Sequence, residues 1–515
     1  MPTGSSRALA QARGLGGYSV AAVPLVLIPA LGAVQGGFQP SAWVWSGALA
    51  AWAAALGLVL GEGSDRLRRD WWWTLAAAAL LVWTLASGLW SVEPAQSLLE
   101  TRRMVVYAAV VLALVVLTRR HSARLLFAGT HAGITMLVLY ALVRYLLQTR
   151  SFATFEGYLL SEPLGYANAV GILSAMGTLL SIGGAADGAS KRIRAAAGAT
   201  VPLLALALEL SGSRASWLAL AIGLAASTAL HRSMSSLVRT VGTLTPPTAV
   251  AIWIGHYSGL SSLSSPRLSG LVVGLAAVGC AVVSAAAAAL TVSPPDPTTD
   301  RRTRRLVIAG AVVAPLIGVL AVVSAGATEP RSLYYHVAWR EFLAHPLFGS
   351  GAGTFGHYWL RWGDVGSWGG ALDAHSLYLE TLAELGPIGL CLLGVFLLYP
   401  LRRTLAHRAL PFVPAAAGAM VAFLVHAGLD WDWEMPAVVV AALGSAAVVA
   451  FAEPEQRGEE PSRALPAAAR AAALAAALVA GAAAIAGAHS TTEPSAFAPL
   501  TIEAPHRGAS SRTTL

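Results

Sequence analysis

The sequence predicts an all-α, polytopic integral membrane protein with about 14–15 transmembrane helices. Three observations predict it. The 515 residues are 56% hydrophobic and only 12% charged, outside the usual range for a soluble globular chain. Apolar runs recur at the length that a bilayer core demands, roughly 20 residues per helix. Basic residues gather in alternate connections, as they do in chains threaded back and forth through a membrane.

Hydropathy windows place spans near 18–37, 41–62, 71–91, 104–118, 122–147, 163–184, 193–210, 215–230, 237–256, 269–291, 305–325, 375–400, 410–428, 436–452 and 466–488. The first run after Arg13 is long enough, and its flanking charge sufficiently in phase, to be a retained span instead of a signal peptide. The N-terminal tail and the connections after even-numbered spans hold 23 of the 34 basic residues, including Arg66, Arg68, Arg69, Lys191, Arg192, Arg194, Arg402 and Arg403. The N-terminus is therefore expected inside, and connections after odd-numbered spans outside. The organisation expected is a cytoplasmic tail over 1–16, helices over 17–325, an outer loop over 326–374, further helices over 375–452, and a C-terminal segment, 453–515, with one extra helix and a polar tail.

Several function classes are excluded at this stage. The stretch "HPLFGSGAGTFG" at 345–356 matches the G-x-G-x-x-G dinucleotide pattern at Gly351, Gly353 and Gly356. That pattern has meaning only between a strand and a helix of a βαβ unit. Here it falls on the outer side of a helical membrane protein. The formal charge of +8 does not imply nucleic acid, because the basic residues orient connections and form no single patch. Cys280 and Cys391 both lie in predicted spans, so no disulfide framework or thiol chemistry is implied. No cofactor motif and no metal-ligand spacing is present.

The outer segment 326–374 departs from the hydropathy wave, being rich in aromatic residues, His, Gly and charge. Long ordered connections of this kind commonly carry function. Arg331, Tyr334, Trp339 and Phe342 recur at helical spacing, which predicts an amphipathic helix over 331–343 at the membrane surface. Gly349, Gly351 and Gly353 follow, allowing a tight turn that either exposes amides to a phosphate or simply reverses the chain. In "DAHSLYLETLAELG", Asp373 is expected as a helix N-cap, with His375, Tyr378, Leu379 and Leu382 on one face of the twelfth span. His375 would then sit in a first helical turn, where the dipole favours a neutral imidazole beside an anion. Glu380 and Glu384 are expected to cap or to line a polar face.

A third cluster, "HAGLDWDWEMP" at 426–436, is also expected outside. His426, Asp430 and Asp432 offer groups that accept hydrogen bonds from sugar hydroxyls, and Trp431 and Trp433 offer faces for stacking. Asn168, near the outer end of the sixth span, is either a glycan contact or a polar helix-packing residue.

The two blocks "HPLFGSGAGTFGHY" and "DAHSLYLETLAELGPIGL", with "LSGSRASWLAL" near 208–220, resemble the O-antigen ligase and O-antigen polymerase superfamily of bacterial membrane glycosyltransferases. The resemblance implies a metal-independent, GT-C-like enzyme. Such an enzyme moves a glycan from an undecaprenyl diphosphate carrier to a hydroxyl acceptor on a lipid, glycan or protein, at the outer face of the cytoplasmic membrane, with inversion. By position, His375 matches the family's loop His, Arg214 the Arg of its "SR" motif, and Arg331 the Arg before the glycine turn. The chemistry fits those roles. Arginine offers paired donors and a charge that does not titrate away from a leaving diphosphate, and a neutral His can take the acceptor hydroxyl's proton. Outer-loop arginines also commonly do no more than reach membrane lipid phosphates.

A transporter or flippase is the alternative of another class. Transporters bury ionisable residues at the midplane of broken, internally repeated helices. Here Arg144 and Glu209 fall near outer helix ends and no repeat is visible, which favours the enzyme.

Overall fold

The computed structural model describes residues 19–59, 67, 70–119, 122–149, 151–153, 155–231, 233–291, 331–368, 370–453, 471 and 475. Among them the secondary structure is helical, with no strand. In chain order the helices are α1 (Ser19–Gly32), α2 (Pro40–Val59), α3 (Trp71–Ser87), α4 (Pro94–Leu117), α5 (Ala123–Leu147), α6 (Ala167–Asp187), α7 (Lys191–Leu210), α8 (Arg214–Leu230), α9 (Met234–Ser258), α10 (Gly270–Leu290), α11 (Arg331–Ala344), α12 (Phe355–Trp362), α13 (Val365–Trp368), α14 (Leu377–His407), α15 (Val413–Ala427) and α16 (Pro436–Phe451). Six described helices are long and apolar enough to cross a membrane. The chain is a polytopic helical membrane protein.

Each predicted span within the described residues has its helix. The span expected at 305–325 lies outside the described residues, as does that at 466–488 except for residues 471 and 475. The main difference is α4, which starts at Pro94 and not near 104. Its first turns carry Gln96, Glu100, Arg102 and Arg103, which a hydropathy window rejects but which pack at the polar end of the bundle. Proline is well placed at that start, where a backbone N–H would lack an intrahelical partner.

Within a membrane, helices approach through small residues and interhelical hydrogen bonds, since lipid is as apolar as leucine. The bundle follows that logic. Gly223 of α8 and Gly418 of α15 face each other so closely that a Cβ on either would sit 2.6 Å from the other's carbonyl oxygen. On α5, Gly129 and Gly133 admit the backbone of α1 at Ala21 and Pro24 in the same way. Helix α6 runs through the centre, with nearly every residue from Ala167 to Ala185 buried.

The connections sort to two ends as the alternation of basic residues predicts. At one end Val92 N donates to Ser350 O (3.1 Å), Leu160 N to Leu210 O (3.0 Å), and Arg331 approaches Asp430. These residues lie in or beside connections expected outside. At the other end Asp187 meets His231 (3.3 Å), and Tyr399 donates to Asp70 (2.6 Å). Helices α11 and α12 cap the first end, packing Val337, Ala338, Phe355 and Trp359 into a small core of their own with Ala374 and Ala383.

Candidate active site

The glycine turn links α11 to α12. Gly349, Gly351 and Gly353 all have positive φ (74°, 111° and 75°), a region that glycine alone enters without cost. Their surroundings are equally restrictive, for a Cβ on Gly349 would lie 2.2 Å from Glu384 backbone atoms and one on Gly351 2.2 Å from Ser91 Oγ. The turn's amides are not open to a phosphate. Gly349 N donates to His345 O and Gly351 N to Glu384 O. Ala352 N donates to Ser87 Oγ, and Gly353 N and Phe355 N both donate to the Glu384 carboxylate, at 2.8 and 2.9 Å. The expected amide cradle is therefore corrected: a buried carboxylate on α14 already fills the place an anion would take. The other alternative, a chain reversal, is what the turn does.

Glu384 thus caps the N-terminus of α12 from a neighbouring helix, as its oxygens replace the intrahelical acceptors those amides lack. Beside it Glu341 of α11 is wholly buried and accepts hydrogen bonds from Ser350 (2.6 Å) and Thr354 (3.1 Å). Burial pushes the Glu341 carboxyl up to about 7, against the two hydroxyl bonds that favour its ionised form.

His375 precedes α14. The N-cap of that helix is Ser376, and its first residue is Leu377. Asp373 therefore is not the N-cap, and His375 is not in a helical turn; both expectations are corrected. Asp373 Oδ1 instead accepts His375 N (3.1 Å), a local turn that competes with helix formation. His375 takes a left-handed backbone conformation (φ 52°), uncommon for a residue with a Cβ and common at sites where side-chain direction matters. Its ring stacks on Tyr334 at 4.5 Å, and Nδ1 lies 2.7 Å from Asp373. Tyr334 is thus a stacking partner of His375.

The electrostatics of His375 differ from the helix-dipole expectation. Burial disfavours its charged form, but the charges of Asp373, 2.7 Å away, and of Asp430 outweigh burial and the opposing Arg331. The imidazole is held above its ordinary range, making it a stronger base.

Asp430 is the hub. It is fully buried, accepts from Tyr166 Oη (2.6 Å) and Asn168 Nδ2 (2.7 Å), accepts Trp431 N (2.8 Å) and pairs with Arg331 at 3.4 Å. Asn168 is committed to this network through Tyr166 and Asp430. His426 and Asp432 are also fully buried. His426 Nδ1 lies 3.2 Å from Asp432 and Nε2 3.0 Å from Ser216 Oγ. They are sealed inside and not positioned for sugar hydroxyls. The hydroxyl of Tyr378 donates to Leu424 O (2.7 Å) and is likewise occupied.

Arg214 opens α8, exposed, directly after the N-cap Ser213, whose Oγ accepts Ser216 N. Ser216 also reaches Asn168 O (3.5 Å) and His426. The start of α8, which Arg214 opens, is thus linked to Arg331 through Ser216, Asn168 and Asp430, while His375 keeps its own contacts with Asp373 and Tyr334.

Sequence reasoning missed Tyr166, Glu341 and the Arg103 pair. Arg103 is buried between the rings of Trp43 (5.7 Å) and Trp433 (5.3 Å), bonded to Glu100 and Glu434. The "ETRR" beginning of an otherwise apolar helix was the available signal for it.

Residues 199–394 match the family model described as O-antigen ligase. No curated protein matches the chain. The match spans Arg214, Arg331, the glycine turn and His375 and ends before Asp430. It supports the O-antigen ligase superfamily and, with it, glycosyl-transfer activity of the ligase or polymerase type.

Proposed function

We propose that this membrane protein, with its O-antigen ligase segment at 199–394, transfers a glycan from an undecaprenyl diphosphate carrier to a hydroxyl acceptor. The acceptor is a surface lipid, polysaccharide or protein, and the reaction takes place at the outer face of the cytoplasmic membrane. One observation carries the reading: a half-buried His in a left-handed backbone, paired with Asp373 and within electrostatic reach of the Arg331–Asp430 pair.

In this reading His375 takes the proton of the acceptor hydroxyl as its oxygen attacks the anomeric carbon. Asp373 stabilises the imidazolium that forms. The bond from the anomeric carbon to the diphosphate oxygen breaks as the glycosidic bond forms, so a single displacement inverts the centre. Arg214 and Arg331 neutralise the charge growing on the departing diphosphate, a contribution worth several kcal/mol in a site of this kind. Asp430 orients Arg331 through their 3.4 Å pair, so that its planar fork can meet phosphate oxygens. The carrier's apolar chain stays among membrane lipids.

The test is a profile of carrier-linked glycans in cells lacking the protein, complemented with wild type or His375→Ala. Long carrier-linked chains cleared only by wild type support a ligase, whereas single repeat units cleared only by wild type assign a polymerase of the same superfamily. No accumulation at all counts against glycosyl transfer.

A further inference from the structure

Beside the candidate active site lies an open pocket. Its lining combines the aromatic rings of Phe38 and Trp43 with the polar side chains of Gln39, Gln96 and Glu100. Its rim touches both sides of the active site. Leu372 adjoins Asp373, and Phe38 packs edge-on against Trp431 at 5.4 Å, next to Asp430.

The polar groups have bonding capacity to spare. Among the described residues the Gln96 side-chain amide has no protein partner, and that of Gln39 reaches only the exposed Gln35, at 3.4 Å. The charge balance is equally specific. Arg103 lines the pocket but is 3% exposed and committed to Glu100 and Glu434. Two carboxyl groups answer one guanidinium, so no surplus positive charge is available to an anion. Amides and a carboxylate bind vicinal hydroxyls, and an aromatic ring packs on the C–H face of a pyranose.

We propose that this pocket is a glycan subsite that takes an uncharged sugar ring and disfavours uronates and phosphorylated sugars. The inference rests on the glycosyl-transfer reading, which it deepens by naming the sugar class. The ring belongs either to the carrier-linked donor or to the acceptor glycan, and kinetics separate the two.

Two measurements on the full chain in detergent test it. In the first, tryptophan fluorescence follows titration with neutral maltotriose and with anionic trigalacturonate, for wild type and Gln96→Ala. Binding of maltotriose only, weakened roughly fivefold by Gln96→Ala through loss of its hydrogen bonds, is expected. Equal binding of both sugars, or no effect of the substitution, overturns the proposal. In the second, transfer kinetics with Gln96→Ala should show a raised KM with kcat held, for donor or for acceptor, and the substrate affected identifies the source. An unchanged KM for both overturns the subsite. Selective maltotriose binding in a wild type that transfers nothing supports the pocket and counts against the transfer reading, so the two fail separately.

Discussion

Replacing Glu384 should release the cap that α11 and α12 form on the bundle without touching any candidate catalytic group. Its carboxylate accepts the amides of Gly353 and Phe355 at 2.8 and 2.9 Å, and the residue is 6% exposed. A hydrogen bond of this kind contributes about 1 kcal/mol net, and a buried donor left without a partner costs about 1–3 kcal/mol. Glu384→Ala orphans both amides. Glu384→Gln keeps one acceptor and turns an NH₂ toward the other amide, so about 3 kcal/mol is lost at this one contact. The opening equilibrium of the turn then rises roughly a hundredfold. Hydrogen exchange on a peptide covering 349–362, measured on detergent-purified protein, reads that change directly. The reasoning predicts much faster exchange there, with peptides of α6 unaffected. Unchanged exchange in Glu384→Gln would refute the cross-helix cap and reopen the glycine turn as an anion cradle.

Three further outcomes follow from the same contacts. If neutral His375 is the base, activity rises with pH through a midpoint above 6.5, since His375 is raised from that value. Asp373→Asn, which keeps the acceptor for His375 N but removes the charge, should move that limb to lower pH and reduce its plateau; a limb that stays put contradicts the pairing. Glu341, raised from 4.5 to about 7, binds its proton more tightly folded than unfolded, so its ionisation erodes stability as pH climbs from 4.5 towards 7. By linkage the loss is at most about 3 kcal/mol, and thermal melts of Glu341→Gln across that range should show a shallower pH slope than wild type. Gly349→Ala forces a Cβ into Glu384 backbone at φ 74° and should cost at least about 2 kcal/mol; a melting temperature equal to wild type would refute that.

Hydropathy carried most of the fold, because the bilayer imposes a length and a polarity that any span must satisfy. Those rules act along one dimension. They find α5 or α16 well and misplace the start of α4, where Glu100 and Arg103 are polar in sequence but bonded in space. The candidate site was legible as residue types: Arg214, Arg331, His375 and Asp430 all stand in short motifs with chemical meaning. Its wiring was not. Asp373 has the composition of an N-cap, and only the fold reveals that it pairs with His375 while Ser376 precedes the helix. The glycine turn suggested free amides, and the residue that fills it, Glu384, lies about thirty positions away on another helix. His426 and Asp432 presented a sugar-binding pattern, yet burial against Ser216 makes them part of the scaffold behind Arg214.

The central claim is that His375 acts as a base toward an acceptor while Arg331 and Arg214 receive the leaving diphosphate. Single-turnover transfer from a purified undecaprenyl-diphosphate-linked glycan, in proteoliposomes containing wild type, His375→Ala, Arg331→Ala or Arg214→Ala, tests it most directly. A loss of about 10²–10⁴-fold in the chemical step for His375→Ala, together with losses for both arginine variants while donor binding persists, is the predicted result. Wild-type rates in His375→Ala would contradict the account.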